Sequence, residues 1–169
     1  ERGLYPKYPL MDQLLYFASL RGVSKGEAKK RIRYWARRLA VEEYLYPSAG
    51  RQSTPRLGEK EGFFGAPRKG KATKPKLADQ LSKGNQQKIQ FMTALISDPE
   101  LIILDEPMSG LDPVNTDLFR DIIREEIAKG KYLIMSSHQM ATVEEFCTDI
   151  TILDRSNAVL QGNLNEIKK

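Results

Sequence analysis

This sequence offers very little for cysteine or histidine chemistry. Among 169 residues there is one cysteine, Cys147, and one histidine, His138. A single thiol excludes an internal disulfide and a Cys-rich metal centre, and a single imidazole excludes a His-cluster site. No stretch reaches the about 20 unbroken apolar residues that a membrane-spanning helix requires. The start, Glu1-Arg2-Gly3, lacks the basic opening and apolar run of a secretory leader. It also lacks an initiator methionine, so the expectation is a fragment that begins inside a longer sequence. With 40% hydrophobic and 29% charged residues, the composition suits one folded domain with its own core rather than extensive disorder.

The charge is concentrated. The chain carries a net +5, and residues 47–76 hold eight lysines and arginines against only Glu59 and Glu61, which accounts for all of that excess. The same stretch contains Pro47, Pro55, Pro67 and Pro75 and five glycines, with Phe63-Phe64 as its one apolar cluster. It reads as a basic, flexible insertion over 47–75.

On either side the pattern is ordered. Leu10, Leu14, Leu15 and Ala18 form a helical stripe that Gly22 ends. Ser24, with Glu27 three residues on, predicts a capping box for a second helix. Its apolar face is Ile32, Trp35, Ala36 and Leu39, and its basic opposite face is either solvated or a partner contact. A third helix is expected over 83–96, capped by Ser82, with Ile89, Met92, Leu95 and Ile96 inward. Leu101–Leu104 then gives a short aliphatic run with the look of a buried parallel strand. Pro113–Lys129 reads as a helix with a Leu118/Ile122/Ile123/Ile127 stripe and Gly130 just past its end. Tyr132–Met135 is a second strand, Met140–Cys147 a short helix, and 150–153 and 158–161 two strands around a turn at 154–157. Strands alternating with helices imply an α/β domain on a parallel or mixed sheet.

Two strand ends are polar, and ligands of open α/β sheets bind beyond such ends. Asp105-Glu106 places adjacent carboxylates at the first tip. One of them can serve Mg²⁺, which prefers one or two carboxylates plus phosphate oxygens, and the other can orient a water for attack on phosphorus. Equally, the pair can be a helix-capping pair. Ser136-Ser137-His138 ends the second strand, where the histidine is either structural or a donor to a phosphate. The stretch Ser82-Lys83-Gly84-Asn85-Gln86 opens a helix with unpaired N–H groups at its positive end, which is either ordinary capping or an anion site.

The order of these pieces matters. LSKGNQQK, then LIILDEP, then Ser109-Gly110-Leu111-Asp112, then SSH resembles the ATPases of ABC transporters: their signature motif, Walker B strand with catalytic Glu, D-loop and H-loop. Gly3-Leu4-Tyr5-Pro6 resembles the segment that follows their Q-loop. The resemblance covers residues 1–46 and 76–169. GLYPK, SKGNQQK and DEPMSGLDPVN most resemble bacterial sodium-extrusion or drug-export subunits. It implies a partial P-loop NTPase-type (RecA-like) sheet at 98–169 and a helical subdomain at 1–46 and 76–97. It implies ATP and Mg²⁺ as ligands, Asp105 as the metal-linked carboxylate, Glu106 as the base and His138 as the γ-phosphate switch. Ser82, Lys83, Gly84, Asn85, Gln86 and Asp112 are then expected to contact ATP across a head-to-tail dimer with a second ATP-binding subunit. A membrane-spanning permease is the other implied partner, with the subunit peripheral on the cytoplasmic face of the membrane.

There are departures from this pattern. The family's GxxxxGK[ST] phosphate loop and Q-loop residue are absent and expected upstream, so the isolated chain is expected to be inactive. Lys83 replaces one glycine of the usual Gly-Gly pair, and Asn85 the usual Gln. The stretch Gly65-Ala66-Pro67-Arg68-Lys69-Gly70-Lys71-Ala72 mimics a phosphate loop, but it lacks the final hydroxyl and the flanking strand and helix. Two rival readings stand beside the transporter. One is a soluble, ribosome-acting ABC ATPase, against which Lys88 and Pro113-Val114-Asn115 speak. The other is a nucleic-acid-binding module using residues 47–76, where a basic loop alone gives only salt-sensitive, sequence-blind binding. No specific nucleic acid is expected.

Overall fold

The computed structural model describes residues 3–46 and 75–168. The expected insertion at 47–75 and the phosphate-loop mimic at 65–72 thus lie outside the described residues, save Pro75. The chain divides into two compact units, 1–99 and 100–169.

The first unit is helical: α1 (Leu10–Leu20), α2 (Lys25–Arg38), α3 (Glu42–Leu45) and α4 (Lys83–Leu95). Its core joins Leu10, Leu14 and Ala18 of α1 to Ala28, Ile32, Trp35 and Ala36 of α2 and to Ile89, Met92 and Leu95 of α4, all buried. Each fully buried Leu or Ile removes apolar surface worth about 1.5–3 kcal/mol. Gly22 stops α1 as its position suggests. Its φ is +73°, and Gly22 N–H donates to Ser19 O at 3.0 Å while Val23 N–H donates to Ala18 O at 3.1 Å, a Schellman closure. The capping box of α2 is only half made. Glu27 N–H donates to Ser24 Oγ at 3.3 Å, but the Glu27 carboxylate turns instead to Arg31 Nε at 3.1 Å and Lys30 Nζ at 3.7 Å. Two nearby cations outcompete a single backbone N–H for that carboxylate.

Two further links hold this unit. Gln13, buried inside α1, donates from Nε2 to Tyr5 O at 2.9 Å and Tyr8 O at 2.8 Å and accepts from Tyr5 N–H at 2.8 Å. The loop before α1 is thereby fixed to it. Pro9 and Leu77 form an antiparallel bridge, and Leu10 N–H donates to Lys76 O at 3.1 Å, so the segment that leads into α4 is pinned beside the start of α1.

The second unit holds β1 (Leu101–Asp105), α5 (Pro113–Ala128), β2 (Tyr132–Ser136), α6 (Met140–Phe146), β3 (Asp149–Asp154), β4 (Asn157–Asn163) and α7 (Leu164–Ile167). β1 and β2 pair in parallel, with Leu101 opposite Tyr132 and Asp105 opposite Ser136. β3 and β4 form a separate antiparallel hairpin. Among the described residues the expected sheet is present as two two-stranded pieces, one parallel and one antiparallel. The hairpin turns through Arg155 and Ser156, with φ of +46° and +65°, the backbone that matches the strands' twist.

Two expectations are corrected. β1 is not buried on both faces: Ile102 and Leu104 are inside, whereas Leu101 and Ile103 are exposed, as are Tyr132 and Ile134 of β2. A parallel pair needs cover on both faces, and the described residues cover one. The inward stripe of α5 is Phe119, Ile122, Ile123 and Glu126, rotated from the expected Leu118/Ile122/Ile123/Ile127. Glu126 can face inward because Lys129 Nζ, at 2.6 Å, and Lys131 Nζ both reach its carboxylate. Ile127 is left at the surface.

Candidate functional site

The polar tips of β1 and β2 lie side by side because their register pairs Asp105 with Ser136. The Ser136 hydroxyl donates to Asp105 Oδ1 and accepts the N–H of Glu106 at 3.0 Å. That N–H also reaches Ser136 O at 3.3 Å. One residue further, the Glu106 carboxylate turns back over the β2 tip. Its Oε1 accepts the backbone N–H of His138 at 2.9 Å and pairs with His138 Nδ1 at 2.8 Å. The two carboxylates therefore serve different neighbours, although they are adjacent in sequence.

Backbone geometry achieves this separation. Glu106 has φ of +44°, a left-handed conformation that costs a non-glycine residue about 1–3 kcal/mol and persists only where its surroundings hold it. After it the chain makes two tight turns, Ser109 N–H to Glu106 O at 3.1 Å and Leu111 N–H to Met108 O at 3.3 Å. These deliver Asp112 to the start of α5, where Asp112 Oδ1 caps the helix by accepting from Asn115 N–H at 3.1 Å. Asp112 is thus a cap in the structure, in addition to being a candidate contact residue.

Chemically, the tip cluster combines an acceptor for a proton, an imidazole and a second carboxylate. No hydrogen bond engages Asp105 Oδ2 among the described residues, and the side chain is exposed. The described residues contain no group of three or more His, Cys, Asp or Glu able to hold a metal ion. One accessible carboxylate is, however, what Mg²⁺ takes from a protein when phosphate oxygens and water complete its shell. The donor set fits Mg²⁺ carried with a nucleotide and does not fit a protein-only metal cage.

Ser82 to Gln86 belong to the helical unit. Ser82 Oγ caps α4 by accepting from Asn85 N–H at 3.3 Å. Gln86 turns inward, and its Nε2 donates to Ala78 O and Leu81 O, each at 3.0 Å. Asn85 Nδ2 donates to Tyr44 Oη at 2.9 Å. The Tyr44 hydroxyl is held above its ordinary range, first by burial and then by Glu43, with Asn85 acting against them. Ser82 and Lys83 remain exposed. So of five candidate residues here, Gln86 and Asn85 are spent largely on the fold. Tyr44 and Ser136 were not singled out by pattern. Ser136 stood in the SSH run without a role, and Tyr44 gives no sequence signal.

The class this defines is an α/β domain of the P-loop NTPase type. The chain belongs to the AAA-domain family: the model described as "AAA domain, putative AbiEii toxin, Type IV TA system" matches residues 22–144. More particularly, its similarity is to ATP-binding proteins of ABC transporters. It is 40% identical over 169 residues to the uncharacterized ABC transporter ATP-binding protein YhaQ of Bacillus subtilis, covering 100% of this chain and 47% of that protein. It is also 40% identical over 169 residues to the uncharacterized ABC transporter ATP-binding protein BpOF4_11395 of Alkalihalophilus pseudofirmus, covering 100% of this chain and 52% of the relative. A solved structure described as an ATP-binding subunit of an ABC transporter superposes with a TM-score of 0.73 at 27% identity, covering 98% of this chain and 57% of that one. The chain spans about half the length of the curated relatives it matches. No helix among the described residues is long and apolar enough to cross a membrane.

Proposed function

We propose that this chain is the signature and Walker B portion of an ATP-hydrolysing subunit that powers an ABC membrane exporter. The observation that carries the reading is the cluster of Asp105 and Glu106 at one strand tip, bonded to Ser136 and His138 at the next. In this reading ATP is the substrate and Asp105 holds the Mg²⁺ that accompanies it. Bound there, the metal supplies neutralisation of phosphate charge. Glu106 accepts a proton from the attacking water, a role for a carboxylate held within hydrogen-bond reach. His138 stands beside it and contacts the γ-phosphate. Its backbone N–H and Nδ1 grip Glu106, so the base and the switch residue are mechanically joined.

The remaining roles follow the same reading. Residues 1–46 and 76–97 act as the helical subdomain toward a permease, residues 47–75 as a basic insertion, and 98–169 as the ATPase core. The α4 start, Ser82 to Gln86, presents N–H groups to ATP held by a second, head-to-tail subunit, with Asp112 next to the joint. The subunit lies on the cytoplasmic face of the membrane. Export rather than uptake rests on the GLYPK, SKGNQQK and DEPMSGLDPVN stretches.

The test is ATP hydrolysis by a subunit that carries this chain behind an upstream phosphate loop, beside the 169-residue chain alone. Turnover is expected only in the longer protein, because positioning of the phosphates supplies much of the rate, roughly 7–11 kcal/mol in favourable cases. His138→Ala should lower it steeply. Hydrolysis by the short chain, abolished by Lys71→Ala, would move the phosphate site to the Gly65–Ala72 stretch and overturn this assignment.

A further inference from the structure

We infer that Ser136 is a positioning residue for the reaction: its hydroxyl sets the separation between Asp105 and Glu106 and holds Glu106 in its left-handed backbone conformation. The inference rests on the role proposed for Glu106 and adds a residue to it.

The hydroxyl has one hydrogen to donate and lone pairs to accept with. Its hydrogen goes to Asp105 Oδ1, and it accepts the Glu106 N–H at 3.0 Å. One oxygen atom therefore links the side chain of the first carboxylate residue to the backbone of the second. Glu106 is the residue with φ of +44°, and no glycine relieves that position. Its side chain is drawn the other way, over the β2 tip to His138, at 2.9 Å and 2.8 Å. Ser136 and His138 are two residues apart on β2 and its extension, so both grips on Glu106 come from one strand end. Without the hydroxyl, the Asp105 carboxylate loses its only hydrogen-bond partner among the described residues and is free to rotate. The Glu106 N–H keeps its longer bond to Ser136 O at 3.3 Å. The strand pairing thus survives, and what is lost is the placement of the two acids. A role in strand pairing alone would be insensitive to the hydroxyl. A role in placement requires it, and threonine supplies the same hydroxyl where alanine and valine do not.

The experiment compares Ser136→Ala, Ser136→Val and Ser136→Thr with Glu106→Gln in the subunit that carries an upstream phosphate loop. The kcat and KM for ATP are measured, together with the His138 imidazole proton resonances of the full 169-residue chain. His138 is the only histidine, so those resonances need no assignment. The expected result is a fall in kcat of about 10- to 100-fold for Ala and Val with KM changed less than about threefold, since misplacement of a reacting group by about 1 Å costs about 100-fold. Thr should restore kcat to within about threefold. The His138 resonances should move in Ala and Val but not in Thr. Equal kcat in Ala and wild type, equal loss in Ala and Thr, or unmoved His138 resonances in Ala would each overturn the inference. The two readings fail separately. Full activity of Glu106→Gln removes Glu106 as the base, while the resonances still decide whether Ser136 holds Glu106 in place.

Discussion

Glu126 is a buried acid in the packing of the second unit. Its side chain is 2% exposed, on the inward face of α5, between Lys129 at 53% and Lys131 at 12%. Lys129 lies in water and contributes little beyond its contact, because solvent screens an exposed cation. Lys131 is largely desolvated, and its charge is answered by Glu126. Replacing Glu126 with alanine removes the buried carboxylate on which both lysines converge and opens space beside Ile122 and Ile123. Breaking a buried pair from one side costs about 3–5 kcal/mol. At a urea slope of about 2 kcal/mol per M, the unfolding midpoint should drop by about 1.5–2.5 M. The assay is urea unfolding of the 169-residue chain followed by far-ultraviolet circular dichroism. Glu126→Leu combined with Lys131→Met should recover much of the loss, because apolar side chains of similar volume then take the place of the buried ion pair. A loss below about 1 kcal/mol for Glu126→Ala, or a double variant no better than the single one, would refute the reasoning.

Two further outcomes are expected. Burial raises the Cys147 thiol above its ordinary 9.0, and burial with Glu43 raises the Tyr44 hydroxyl above 10.0. Each favours its neutral form when folded, so stability is intact below those values and lost as pH climbs through 9 and 10 toward the folded-state values; thermal melts from pH 7 to 11 should show the decline, and Cys147→Ala and Tyr44→Phe should each flatten part of it. Tyr44→Phe also removes the acceptor of Asn85 Nδ2, a bond worth about 0.5–1.5 kcal/mol; amide exchange near the α4 start should quicken, and unchanged exchange would show that Ser82 alone holds that turn.

Much of the helical unit was legible in the sequence. Ser24 and Ser82 each stand one residue before a helix, Gly22 just after one, and the stripes Leu10/Leu14/Ala18 and Ile32/Trp35/Ala36 keep the helical period. Those signals are local, and local chemistry decided them. What was not legible depends on distant neighbours. Leu101–Leu104 is aliphatic throughout, so the side of β1 that faces inward cannot be read from it. The α5 face shifted because Lys129 and Lys131 make Glu126 tolerable inside, and a hydrophobic pattern has no place for a paired acid. At the site, Asp105, Glu106 and His138 were visible as polar strand ends, and the structure brings all three together. Ser136 gained its role from the register Asp105↔Ser136, which no single strand encodes. Gln86 reads as a contact residue in the motif, yet its side chain closes the turn before α4.

The central claim is that Glu106, held by His138 and Ser136, is the base for ATP hydrolysis. Glu106→Gln keeps the shape and can still accept from His138, but it is a far weaker base. In the subunit with its phosphate loop, turnover measured by phosphate release should fall about 10²- to 10⁴-fold. ATP affinity should stay within about threefold, and an ATP-bound dimer should persist in light scattering. Turnover within about twofold of the unaltered subunit would contradict the account.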